Sequence, residues 1–112
     1  MSSDNYDLNK GAVKFDQSKP QWDLLPLDAL DDVAKVFSYG ATKYEKLNWL
    51  NGMRYGRFIA ATFRHIRDFW LGEDNDKESG HPHLAHAAAN ILMLLASMKR
   101  GCGTDDRNTV SH

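Results

Sequence analysis

The stretch Pro82-His83-Leu84-Ala85-His86-Ala87-Ala88-Ala89-Asn90-Ile91-Leu92-Met93-Leu94-Leu95-Ala96-Ser97-Met98-Lys99-Arg100 decides the fold class. It opens on proline, which suits the first turn of a helix. Leu84, Ala87, Ala88, Ile91, Leu94, Leu95 and Met98 then recur at helical spacing and form the expected core stripe. His83, His86 and Asn90, at i, i+3 and i+7, line one border of that stripe. The pattern predicts a buried helix with a polar edge.

Two further helices are legible N-terminal to it. One runs from about Tyr55 to Leu71 and stops at Gly72. Its apolar side is Phe58, Ile59, Thr62, Phe63, Ile66, Phe69 and Trp70, with His65 on the edge and Arg57, Arg64 and Arg67 pointing elsewhere. The other runs from about Leu27 to Leu47, with Leu30, Val33, Ala34, Phe37, Ala41 and Tyr44 on one face and Asn48 continuing the stripe. Pro26 precedes it, and Asp28, Asp31 and Asp32 complement the helix dipole in its first turn. Gly40 inside this helix costs roughly 1 kcal/mol relative to alanine; a close helix contact or the approach of a ligand would explain it. Trp22 and Trp70 are assigned to packing.

Three amphipathic helices joined by short polar connections give an all-α fold, a compact bundle with an N-terminal arm. No strand is expected beyond a short extended piece over Gly11–Phe15. The domain is placed at residues 11–100, between a flexible N-terminus (1–10) and a flexible polar tail (101–112). Apolar stripes this wide on so few helices predict completion by homo-oligomerisation, as a dimer or tetramer.

At 112 residues the chain suits one domain, and 14 basic against 15 acidic residues argue against a general nucleic-acid binder. Cys102 is the single cysteine, so no intrachain disulfide forms and a reducing compartment fits. No apolar run approaches the ~18 residues of a membrane span, and no signal pattern opens the chain. The expectation is a cytoplasmic protein that needs no membrane and no nucleic acid as partner.

The chemistry concentrates in Gly72-Glu73-Asp74-Asn75-Asp76-Lys77-Glu78-Ser79-Gly80-His81, just ahead of the histidine-bearing helix. Glu73, Asp74, Asp76 and Glu78 repel one another unless a cation or strong hydrogen bonds offset their charge. Alone, such a loop is equally a solvated surface loop. The adjoining His83, His86 and Asn90, with His65 on the facing helix, tip the balance toward a polar pocket. Zinc on two or three histidines is conceivable, but with no cysteine and a majority of acids, Mg²⁺ or Mn²⁺ on carboxylates is preferred, the histidines orienting the carboxylates or touching phosphate. Lys14, Lys19, Lys43, Arg54, Arg57 and Arg64 could converge on a triphosphate, although each by itself reads as a solvated surface residue. Asn48 and Trp49 can read and stack on a base; Trp49 reads equally as a core aromatic. Cys102 has no partner base, and no Ser-His-Asp spacing, phosphate-binding loop or dinucleotide glycine pattern is present.

Lys14-Phe15-Asp16…Lys19-Pro20, Leu24-Leu25-Pro26, Tyr39-Gly40-Ala41…Lys43-Tyr44…Asn48-Trp49, Arg64-His65, Gly72-Glu73…Asp76…Glu78-Ser79-Gly80 and His83-Leu84-Ala85-His86-Ala87…Asn90 together resemble the phage-encoded dATP/dGTP diphosphohydrolase family. That family is related to the MazG-like all-α nucleoside triphosphate pyrophosphohydrolases. Some of its members belong to phages that use 2-aminoadenine. The resemblance spans about Gly11 to Leu95. Ser18 stands where a glycine is expected, and only Glu73-x-x-Asp76 has the paired-acid form usual in MazG proteins.

The resemblance implies hydrolysis of dGTP or dATP between the α- and β-phosphates, giving the monophosphate and pyrophosphate with Mg²⁺ or Mn²⁺. The residues and the resemblance together assign metal to Glu73, Asp76 and Glu78, with Glu45 from the first helix, and catalysis to these three loop acids with His83 and His86. Substrate falls to Lys14, Lys19, Lys43, Asn48, Trp49, Arg64, His65 and Asn90. Two other readings stay open: a triphosphohydrolase that releases the nucleoside, and a non-catalytic metal-binding interaction module. Against the module, the acids lack the spacing and central glycine of an EF-hand loop.

Overall fold

The computed structural model describes residues 18–43 and 46–108. Lys14, Glu45, Tyr44 and the Gly11–Phe15 segment lie outside the described residues. Three α-helices make up the fold: α1 (Leu27–Lys43), α2 (Tyr55–Trp70) and α3 (His83–Arg100). Short 3-10 turns at Trp22–Leu24 and Asn48–Asn51 precede α1 and α2. No strand occurs among the described residues, only isolated bridges pairing Arg54 with Thr104 and Asn75 with Pro82. The all-α expectation holds.

α3 is the common partner, packed more extensively against α2 than against α1. Toward α1 it presents Ala85 and Ala89, one turn apart and both buried, which let Val33 and Val36 approach closely; Phe37, Ala88 and Met93 pack around them. From α2, Phe58 and Thr62 are buried, the Thr62 hydroxyl donating back to the Phe58 carbonyl at 2.8 Å.

Three expectations need correction. α1 ends at Lys43, not near Leu47, and Asn48 sits in a separate 3-10 turn entered through Leu47 at φ 58°. The expected core stripe of α3 is largely turned outward: Leu84, Ile91, Leu95 and Met98 are exposed, Ile91 by 51%. Small residues make the intramolecular contact because they allow close helix approach, and the bulky stripe faces away from both neighbours. Trp22 and Trp70 do not pack within the chain either, Trp70 being 82% exposed, and Ile59, Phe63 and Ile66 on its helix are exposed as well.

The chain beyond α3 reaches back to α2. α3 closes at Gly101 in the left-handed region (φ 65°), and the Tyr55 N–H donates to the Thr104 carbonyl at 2.9 Å. Asp106 then caps α2 from fifty residues away: Oδ1 accepts from the Gly56 N–H at 2.8 Å and Oδ2 from Arg54 Nη1 at 2.9 Å. α2 has no side-chain cap of its own, so this carboxylate satisfies one of its open N–H groups. A β-carbon on Gly56 would meet Asp106 Oδ2 at 2.8 Å, which explains glycine at that position.

Candidate functional site

α2 leaves its last turn through Gly72 at φ 105°, a conformation that favours glycine, and the Glu73 N–H donates to the Asp68 carbonyl at 3.0 Å. This reversal sends the acid loop back across the helix ends. Inside the loop the Asp76 N–H donates to the His81 carbonyl (2.8 Å), Gly80 N–H to the Asp76 carbonyl (2.7 Å), and His83 N–H to the Asp74 carbonyl (2.9 Å). The loop is thereby a folded unit that delivers Glu73 and Asp76 to the first turn of α3.

At its centre stands His83, 1% exposed. Its Nε2 lies 2.6 Å from Glu73 Oε1, and its Nδ1 lies 2.9 Å from Nδ1 of His65. A carboxylate only accepts, so the proton of neutral His83 sits on Nε2 and its Nδ1 offers a lone pair, to which His65 Nδ1–H donates. His86 stacks on His65, ring centroids 4.5 Å apart and planes within 9°. Its Nε2 is 2.7 Å from Ser79 Oγ, which also accepts the His81 N–H at 3.1 Å. Burial, reinforced by His83, lowers the pKa of His65; burial, reinforced by His65, lowers that of His86. Both imidazoles are therefore neutral at pH 7. Burial alone would raise the pKa of Asp76, but hydrogen bonds from the Ser79 backbone and hydroxyl, with His86 and His65 nearby, outweigh it and hold the carboxyl ionised.

Donor atoms of His65, Asp76 and His83 lie within 4.8 Å of one another, as do those of Asp68, Glu73 and His83. The first set suits a divalent ion better. Asp68 is engaged by Arg67 at 2.9 Å, and Glu73 is occupied in orienting His83. Two imidazole nitrogens and one carboxylate fit Mn²⁺ more comfortably than Mg²⁺, which favours oxygen ligands.

Residues 9–107 match the family described as dATP/dGTP diphosphohydrolase, N-terminal. The chain belongs to this family. A dATP/dGTP diphosphohydrolase of Salmonella phage PMBT28 is 33% identical over 95 residues, covering 85% of this chain but 32% of that protein. The chain thus spans about a third of the length of the curated relative it matches. No solved structure matches it.

Of the residues singled out from sequence, Glu73, Asp76, His65, His83 and His86 come together in this family member. Glu78 stands apart from the histidines: it is exposed, bonded to Lys43, and accepts the Tyr39 hydroxyl at 3.1 Å. The Lys43 hydrogen bond and that of Tyr39 lower its pKa. Arg64 is exposed on α2, near enough for its charge to disfavour protonation of His65. Asn90 donates Nδ2–H to the His86 carbonyl at 2.9 Å, one turn below the cluster. Asn48, Trp49 and Asn90 all line a cleft bounded by α1, the turn at residues 46–49, the start of α2 and α3. Lys19 is exposed in the segment before Trp22. Lys14 and Glu45 fall outside the described residues.

Sequence reasoning gave no site role to Asp68, Ser79, His81 or Tyr39, although Tyr39 and Ser79 stand in the motifs that carry the family resemblance. Asp68 carried a signal, lying three residues after His65 on one helix. The motif containing Tyr39 gave no hint of its edge contacts with His81 (5.9 Å) and His86 (6.5 Å), which join segments some forty residues apart.

Proposed function

We propose that this chain carries the site of a metal-dependent hydrolase that converts purine deoxynucleoside triphosphates, dGTP or dATP, to the monophosphate and pyrophosphate in phage nucleotide metabolism. The observation that carries the reading is the pair of imidazole Nδ1 atoms 2.9 Å apart with the Asp76 carboxylate alongside and Glu73 behind His83. The activity named for the phage relative supports the substrate class. Of the two expected ions, Mn²⁺ fits this donor set better than Mg²⁺.

In this reading His83, His65 and Asp76 would hold the cation, with His83 and His65 offering their facing Nδ1 atoms once the proton between them has moved to His65 Nε2. A bound divalent ion supplies Lewis acidity and neutralises phosphate charge. Glu73 holds the His83 tautomer that keeps Nδ1 available, the role carboxylates commonly play behind metal-binding histidines. His86, neutral at pH 7, accepts a proton from the attacking water at Nδ1 while Nε2–H stays on Ser79 Oγ. Arg64, and Lys43 once drawn from Glu78, stabilise negative charge on the phosphates. The exposed apolar side chains of α2 and α3 form the homo-oligomer contact, where full burial of each large one contributes about 1.5–3 kcal/mol. The enzyme is proposed to act in the cytoplasm of the phage host; separately, no helix among the described residues is long and apolar enough to cross a membrane.

Incubation with each of the four dNTPs plus Mn²⁺ or Mg²⁺, with products resolved by chromatography, tests the proposal. A purine dNMP and pyrophosphate are expected. Nucleoside with tripolyphosphate points to the triphosphohydrolase, and metal binding with no nucleotide loss to the non-catalytic module. Asp76→Asn should reduce turnover at least ~10²-fold with the helical content retained.

A further inference from the structure

We infer that the cleft bounded by α1, the turn at residues 46–49, the start of α2 and α3 seats a purine base, with Gly40 as its floor. The inference rests on the nucleotide reading above and names the part of the substrate that the histidine cluster leaves unaddressed.

Gly40 is the starting point. It lies on the same face of α1 as Val33, Val36 and Phe37, which fill the core against α3, so a side chain there would point into the same space. Yet a β-carbon built at Gly40 meets no atom of the described residues within 4 Å, and its φ is not in the left-handed region. Neither packing nor backbone conformation calls for glycine, a poor residue inside a helix. The approach of a ligand does. The space it leaves open is a cavity of about 550 Å³, within the range of small-molecule sites.

The walls have the chemistry of a base site. The Trp49 indole and Phe37 supply flat apolar surface, while Asn48, Asn90 and Arg57 supply polar groups. Asn90 spends one N–H on the His86 carbonyl, and among the described residues no other hydrogen bond keeps its second N–H and its Oδ1 from a base. An asparagine amide pairs with N6 and N7 of adenine, and an arginine guanidinium with O6 and N7 of guanine, so this set reads the edges of purines. The cleft also lies at a workable distance from the cluster. Asn90 is four residues from His86 and seven from His83, about 6 and 10 Å along α3, so a base seated here leads its phosphates toward His65, His83 and Asp76.

The test is a graded series, Gly40→Ala, Gly40→Val and Gly40→Leu, with dGMP and dAMP binding measured by calorimetry in the presence of Mn²⁺. Binding should weaken with side-chain size, at least ~10-fold for leucine, while the melting temperature rises for alanine and leucine and Mn²⁺ affinity stays unchanged. Loss of affinity in a more stable protein is a signature that a merely structural glycine does not produce. Undiminished binding by Gly40→Leu, or no purine nucleotide binding by the unaltered chain, overturns the inference. A changed oligomer mass in Gly40→Leu with nucleotide binding retained assigns the cleft to a second copy and overturns it too. Purine binding that Gly40→Leu abolishes, in a chain that hydrolyses no dNTP, leaves the base site standing and removes the hydrolase reading.

Discussion

Replacing Glu73 separates His83, the proposed metal ligand, from the carboxylate that orients it. Glu73 Oε1 takes the Nε2–H of His83 at 2.6 Å, and its side chain is one-third exposed. A hydrogen bond with one charged partner contributes about 1.5–3 kcal/mol, and partial exposure puts this one near the lower end. The Lys77 contact at 3.5 Å is exposed and adds little. Glu73→Gln keeps an acceptor for Nε2–H, so the tautomer survives and the loss should be about 1 kcal/mol. Glu73→Leu strands the N–H of a fully buried imidazole, with an expected loss of about 2 kcal/mol. The effect on metal is separable by linkage. At a free Mn²⁺ concentration 100 times Kd, binding stabilises the native chain by about 2.7 kcal/mol; a tenfold weaker site gains about 1.4 kcal/mol at the same concentration. Urea denaturation with and without Mn²⁺ measures the increment, and ¹⁵N NMR of the imidazoles reports the His83 tautomer. Glu73→Gln should show the reduced increment with Nε2–H retained. An increment in Glu73→Leu equal to that of the unaltered chain, with Nε2 still protonated, would refute the orienting role. Complete loss of the increment in Glu73→Gln would make Glu73 a direct ligand instead.

Asp106→Ala removes the cap of α2 and the partner of Arg54, and chemical denaturation should register a loss of about 1 kcal/mol, with faster hydrogen exchange at Gly56. Ser97 is 1% exposed on α3 and its hydroxyl has no hydrogen-bond partner among the described residues, so Ser97→Ala should be neutral or stabilising by up to about 1 kcal/mol; a marked drop in melting temperature would reveal a bond unseen here. His65 and His86 have pKa values below the ordinary imidazole value of about 6.5, so as pH falls through 6.5 the unfolded chain takes up protons before the native one. Their contribution is thus intact above about pH 6.5 and declines below it. Asp76, depressed in turn, withdraws its own only as pH falls below the usual carboxylate range. A denaturation midpoint that stays flat from pH 7.5 to 5.5, or loses its slope in neither His65→Gln nor His86→Gln, would contradict this.

The sequence by itself carried the helices, because helical periodicity, Pro82, Gly72 and the glycine after Arg100 are local signals, and local signals specify where a helix begins and ends. It also carried the nearness of Glu73, Asp76, His83 and His86, which a short loop and a single first turn hold together whatever the rest of the chain does. Which side of each helix faces inward was not local. Leu84, Ile91 and Leu95 have the stronger claim to a core by hydrophobicity, yet Ala85 and Ala89 occupy it, because closeness of approach between helices rewards small side chains. Likewise only tertiary packing sets His65 of α2 2.9 Å from His83 of α3, turns Glu78 toward Lys43, and caps α2 with Asp106. Each of these joins residues distant in sequence, and such meetings are decided by which surfaces the folded helices have left to bury.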